Sequence, residues 1–145
     1  MVIQDFSSKM IFLDTAPLIY FIEGHSAYQP ILSRLFDFNE KGHFSFVTSS
    51  VTLLEVLVKP LREGQTALAK RYRDILTMAP GIELFDVTSS LAELAAKLRA
   101  KYSVRTPDSI QLASCIELGA EYFLTNDSRL KAVSEVNVVT VGELH

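Results

Sequence analysis

The sequence predicts an α/β fold, a parallel sheet of five short strands covered by helices on both faces. Three observations carry this. Short apolar runs alternate along the chain with segments of helical periodicity. Strands separated by helices pair in parallel, through right-handed crossovers. And 145 residues, 48% of them hydrophobic, suffice for one continuous core, so residues 1–145 are expected to form a single domain.

Taken in order, residues 1–9 read as a polar leader, and Met10–Asp14 as a buried strand. Thr15–Gly24 is a short helix that tolerates Pro17 in its first turn. Ile31, Leu32, Leu35 and Phe36 set an apolar stripe on a helix near Pro30–Gly42. His43–Thr48 is a strand, and Ser49–Val58 a helix that Pro60 ends. Gln65–Ala79 is amphipathic, with Leu68, Tyr72, Ile75 and Leu76 on one face. Ile82–Val87 gives the third strand. Ser90 with Glu93 makes a capping-box start for a helix running to about Tyr102. Thr106-Pro107 opens the next helix as a cap followed by proline, and Gly119 closes it. Glu121–Thr125 and Asn137–Val141 are the last two strands.

Composition excludes several classes of function. No apolar run approaches the roughly 20 residues that span a bilayer, and residues 1–9 lack the basic start of a secretory signal. Cys115 is the only cysteine, so no internal disulfide forms. A cytoplasmic protein is expected. The net charge of −3 excludes a nonspecific nucleic-acid coat held by counterion release. Any nucleic-acid chemistry must rest on local basic patches or bound cations.

Four acids stand where an α/β sheet puts its chemistry, beyond the carboxyl ends of the strands. Asp14 ends the first strand, Asp127 lies two residues past the fourth, Asp108 occupies a first helical turn, and Glu55 sits inside another helix. Each has a local alternative: Asp14 as a helix cap, Glu55 in a capping box with Thr52, Asp108 beside a helix dipole, Asp127 as turn chemistry. Glu55 fits its alternative least. It is surrounded by Val51, Leu53, Leu54, Val56 and Leu57, where partial burial is expected, and Lys59 is its one local basic partner. Four acids in one cup repel, and a like-charged pair about 4 Å apart costs roughly 4 kcal/mol at an effective dielectric of 20. Divalent cations relieve that repulsion and suit phosphodiester cleavage, with Mg²⁺ or Mn²⁺ preferring oxygen ligands.

The segments Phe12-Leu13-Asp14-Thr15, Ser49-Ser50-Val51-Thr52-Leu53-Leu54-Glu55, Thr106-Pro107-Asp108-Ser109-Ile110-Gln111-Leu112-Ala113 and Leu124-Thr125-Asn126-Asp127 resemble the motifs of PIN-domain ribonucleases. From about residue 10 to residue 142 the layout resembles the VapC toxins of bacterial toxin–antitoxin pairs. The resemblance implies a three-layer fold with sheet order 3-2-1-4-5 and Mg²⁺- or Mn²⁺-dependent cleavage of RNA. It also implies homodimers and inhibition by a cognate antitoxin. Asp14, Glu55, Asp108 and Asp127 match the family's catalytic, metal-binding acids, and Thr125 its supporting hydroxyl, which holds a metal-bound water or a neighbouring carboxylate. The polar leader departs from the pattern.

Arg105, three residues from Asp108, is the basic residue singled out as an RNA contact. The clusters Lys59/Arg62, Lys70/Arg71/Arg73 and Arg99/Lys101/Arg105 could border an RNA groove, but read by default as solvated helix faces. His25, His43 and His145 are too scattered for a zinc site. Cys115 reads as a core thiol, Asp86 as an edge-strand decoy, and Phe21, Phe36, Phe44, Phe46 and Tyr72 as core or dimer contacts. No Gly-rich phosphate loop is present. Ala16 excludes the second aspartate of a haloacid-dehalogenase-like phosphatase, and a receiver's adjacent acids are missing. Two alternatives remain: an inert PIN-like module that binds a partner or RNA, and an RNA-processing nuclease without a toxin role.

Overall fold

Met10–Leu13 forms β1, the strand on which the molecule is centred. The computed structural model describes all of residues 1–145. After β1 come α1 (Thr15–Glu23), α2 (Gln29–Glu40), β2 (Ser45–Ser49), α3 (Ser50–Arg62), α4 (Thr66–Met78) and β3 (Ile82–Phe85). Then follow α5 (Ser89–Lys101), α6 (Thr106–Leu118), β4 (Tyr122–Thr125) and β5 (Val138–Thr140). Short 3₁₀ turns occupy Ile3–Phe6, Ser128–Ala132 and Val141–Glu143. All pairings are parallel and the strand order is β3-β2-β1-β4-β5, as the resemblance implies.

Strand alternation sorts the core into two layers. Ile11 and Leu13 of β1 face one side, with Leu18, Ile22, Leu32, Leu35, Phe36, Val56, Tyr72 and Leu76 of α1–α4. Phe12 faces the other, with Leu91, Ala95 and Leu98 of α5 and Leu112, Ala113 and Cys115 of α6. Phe12 is in register with Phe123 of β4, and their rings stack with centroids 5.3 Å apart. Phe36 packs on Phe21 and Phe46, so those aromatics are core contacts. The buried Asn39 amide donates to the carbonyls of Phe44 and Gly81, tying α2 to the starts of β2 and β3.

Four local expectations need correction. Pro60 lies within α3 rather than ending it. In a last turn it forfeits a single N–H bond, and the Gln65 N–H closes on its carbonyl at 2.8 Å. α5 starts two residues early, at Ser89, so Thr88 rather than Ser90 is its cap and accepts the Leu91 N–H at 3.2 Å. Ser90 is freed to donate to Glu117. Thr106 is itself helical, which puts Pro107 second in α6. The leader is polar only in part, because Ile3 and Phe6 are buried against the α1–α4 side of the core.

The apolar run around Glu55 also divides differently from expectation. Val56 is buried, whereas Leu54, Val58 and Leu61, spaced by a turn of helix, are exposed at 64%, 44% and 58%. No helix is long and apolar enough to cross a membrane.

Candidate active site

β1 stops at Leu13, and Asp14 follows as the cap of α1, its Oδ1 accepting the Thr15 N–H at 2.9 Å. The capping role and a chemical one are therefore compatible. Asp14 lies between the ends of β1 and β4, where the strand order reverses and α/β sheets open a crevice. Its Oδ2 accepts the hydroxyl of Thr125, the last residue of β4, at 2.8 Å. Thr125 Oγ in turn accepts the Asp127 N–H at 3.1 Å, so one buried hydroxyl links two acids.

Glu55 enters from α3. The Thr15 hydroxyl donates to its Oε1 at 2.6 Å, joining it to the same turn that Asp14 caps. The Thr52 capping box does not form: Ser49 caps α3 by accepting the Val51 N–H. Thr52 is buried in a polar network instead. There Gln111 Nε2 donates to Thr52 at 2.6 Å and reaches Asp14 Oδ1 at 3.5 Å, while Gln111 Oε1 accepts from Ser49. Thr52 and Thr48 pair at 2.8 Å, and Thr48 donates to the Leu13 carbonyl at 2.7 Å. Asp14 is thus fixed by strand, helix and hydroxyl contacts on every side except the open one.

Asp108 and Asp127 complete the cup. Asp14, Glu55, Asp108 and Asp127, with Thr15, Thr125 and Asn126, line a single hollow of about 450 Å³. Arg105 and Arg129 line it too. Arg105 Nε lies 3.2 Å from Asp108 Oδ2, and Arg129 grips both oxygens of Asp127 at 2.8 and 2.9 Å. Burial pushes the Asp14 carboxyl up to about 6, against the hydrogen bonds from Thr125 and Thr15; the charges of Asp108 and Glu55 push the same way as burial. Arg129 holds Asp127 below the usual carboxylate range.

No three acidic, histidine or cysteine side chains converge in metal-holding geometry here. Asp108 and Asp127 serve their arginines instead. The donor set still fits a hard divalent cation, being oxygen throughout. Asp14 also lacks a cationic partner, among like charges that a cation would neutralise.

The remaining candidates lie elsewhere. Asp86, beyond the edge strand β3, is exposed and outside the hollow. Arg71 donates to the Ile22 carbonyl near the end of α1, and Lys70 pairs with Asp74. Arg99 braces the α5–α6 loop through the Val104 carbonyl and Thr106. His25 accepts the N–H groups of Ala27 and Tyr28 in its own turn. Cys115 is buried, with its thiol pushed up to about 12, which suits a core residue. Sequence reasoning passed over Thr15, Gln111 and Arg129. Gln111 carried a signal, a lone amide on an apolar helix one turn after Asp108. Arg129 carried none, since only the 3₁₀ turn after Asp127 folds it back.

The PIN-domain family model matches residues 11–136. The chain belongs to the PIN-domain family. Solved structures share the PIN fold over nearly their whole length. VapBC2 from Rickettsia felis, bound to a DNA fragment from its promoter, is similar with a TM-score of 0.73 and 16% identity, over 90% of this chain and 98% of that one. A toxin–antitoxin complex from Klebsiella pneumoniae gives 0.70 and 21%, over 90% and 97%. Mycobacterium tuberculosis VapC20, a toxin that cleaves the sarcin–ricin loop, gives 0.70 and 20%, over 88% and 98%. Among curated proteins, none matches this PIN-domain sequence.

Proposed function

We propose that this PIN-domain protein is a Mg²⁺- or Mn²⁺-dependent endoribonuclease, the toxin of a toxin–antitoxin pair. One observation carries the proposal: four acids from four separate parts of the chain line one hollow at the strand ends. A purely structural surface gains nothing from setting the charges of Asp108 and Glu55 beside the buried Asp14. A bound divalent cation would supply an activated water and charge neutralisation at the scissile phosphate. Asp14, Glu55, Asp108 and Asp127 would hold it. Thr125 and Gln111 orient Asp14, and Thr15 orients Glu55. Arg105 stands at the rim, able to meet the RNA backbone.

The toxin assignment rests on the likeness to toxin–antitoxin structures and predicts growth arrest that a co-expressed antitoxin relieves. A cytoplasmic single-domain protein is proposed with it. A homodimer is proposed on the exposed Leu54/Val58/Leu61 stripe of α3, which a second copy would cover; a solution mass near the monomer's 16.2 kDa would rule it out.

The deciding experiment is cleavage of a mixed, structured RNA pool with Mg²⁺ or Mn²⁺, with EDTA, and by Asp108→Asn. Cleavage that needs both metal and Asp108 is expected. Metal-independent cutting overturns the proposal. The arginine pairs on Asp108 and Asp127 favour a second reading, an inert partner- or RNA-binding module. That reading expects RNA or protein binding without cleavage in any sample.

A further inference from the structure

Next to the acidic cup lies a second hollow of about 400 Å³, within the size range of small-ligand sites. Its rim and the cup's rim share four residues: Arg105, Asp108, Asp127 and Arg129. Beyond that wall the two hollows differ in character. The cup adds the acids Asp14 and Glu55, whereas the second hollow adds Lys101 and the apolar side chains of Val104, Leu130 and Val133. Both arginines are largely exposed, at 73% and 82%, although their carboxylate partners are not, at 16% and 28%.

We propose that the second hollow is the binding subsite for a nucleotide flanking the cleaved bond, with Arg105 and Arg129 gripping the phosphate that joins it to the cup. The inference rests on the nuclease reading above. A strand whose scissile phosphate sits in the cup must continue over one of its walls, and this wall carries two guanidiniums. Guanidiniums bind phosphate in a bidentate fork, as Arg129 now binds the Asp127 carboxylate. Cations drawn to the four acids would compete for those carboxylates, freeing both arginines for an anion. Lys101, held by Glu135 at 3.3 Å, stands ready for the next phosphate, and the apolar floor receives ribose and base. A chain with net charge −3 thereby obtains a local basic track for an anionic strand.

The test is binding of a fluorescein-labelled single-stranded RNA oligonucleotide of mixed sequence to full-length protein in Mg²⁺ buffer over a range of salt concentrations. All proteins carry Glu55→Gln to suppress cleavage, and circular dichroism verifies the fold. Arg129→Gln and Arg105→Gln are each expected to weaken binding about tenfold. Each should also flatten the slope of log affinity against log salt by about 0.7, the value for one single-strand phosphate contact. Lys41→Gln, which removes a surface cation paired with Asp37, is the control. A titration of each protein with Mn²⁺ alone, read by electron paramagnetic resonance, should show no loss of cation affinity in the arginine variants. Arginine variants that match Lys41→Gln in affinity and slope overturn the subsite and leave the nuclease reading intact. Variants that lose Mn²⁺ as well as RNA also overturn it, because the arginines then serve the cup. A parent that binds no RNA at any salt removes both.

Discussion

Asp14 divides its oxygens between the Thr15 N–H and the Thr125 hydroxyl, with Gln111 at a longer reach, and faces no cation. Its carboxyl keeps a proton up to about 6 in the fold, against an ordinary 3.8. Folding therefore favours the protonated form. This contribution to stability is full below about pH 4 and is lost as the pH rises through about 6. At pH 8, in EDTA, Asp14→Asn is expected to stabilise the protein by on the order of 1 kcal/mol, with the gain shrinking as pH falls towards 4. Denaturant titrations at the two pH values check this. A gain of equal size at both would mean that charge is not its source. The same substitution abolishes the proposed cleavage, which would make this residue one where stability and chemistry pull in opposite directions.

At the scale of elements, a single amide supplies the hydrogen bonds that link α6 to α3 and to Asp14 at the end of β1, beside the apolar packing of the core. Gln111 joins Ser49, Thr52 and Asp14, and all the side chains of this network are buried or half-buried. Gln111→Ala would leave two buried hydroxyls short of partners, an expected loss of about 2–3 kcal/mol in chemical denaturation. Gln111→Glu should lower cation-free stability as well, by setting another carboxylate beside Asp14. A change below about 0.5 kcal/mol in the alanine variant would mean that other groups or water take over these bonds. The elements themselves were legible in the chain, because period 2 and period 3.6 separate cleanly at Phe12/Leu13 and along α2. Helix starts were less so. Thr88 and Ser90 both suit a cap; in the fold Thr88 takes that role, and Ser90 donates to Glu117 on another helix. The acids of the cup were legible one by one from their positions after strands and in first turns. Of their arginine partners, Arg105 was legible beside Asp108, though as an RNA contact rather than its ion pair, whereas nothing in the sequence reveals that Arg129 bends back on Asp127. Leu54 also misled, because an apolar residue on a helix does not say whether its face is covered.

At the scale of the whole molecule, sheet order decides that residues far apart in sequence meet at the crevice beside β1. A divalent cation held there, as proposed, would tie the end of β1, α3 and α6 to the segment after β4. At a hundredfold excess over its Kd it should add about 2.7 kcal/mol, raising the melting temperature by roughly 5–10 °C for a domain of this size. Differential scanning calorimetry with Mn²⁺ and with EDTA measures this. Asp14→Asn should lose most of the shift, and an equal shift in both proteins would locate the ion elsewhere. The bond from Thr125 to Asp14 spans 111 residues. A pocket closed by so distant a pairing cannot assemble early, because loop closure of that length precedes the reward. On refolding by dilution from denaturant, helical signal should therefore return before the cup exists. Any activity the cup supports should reappear only with the slowest phase, so that a half-folded chain carries none of it.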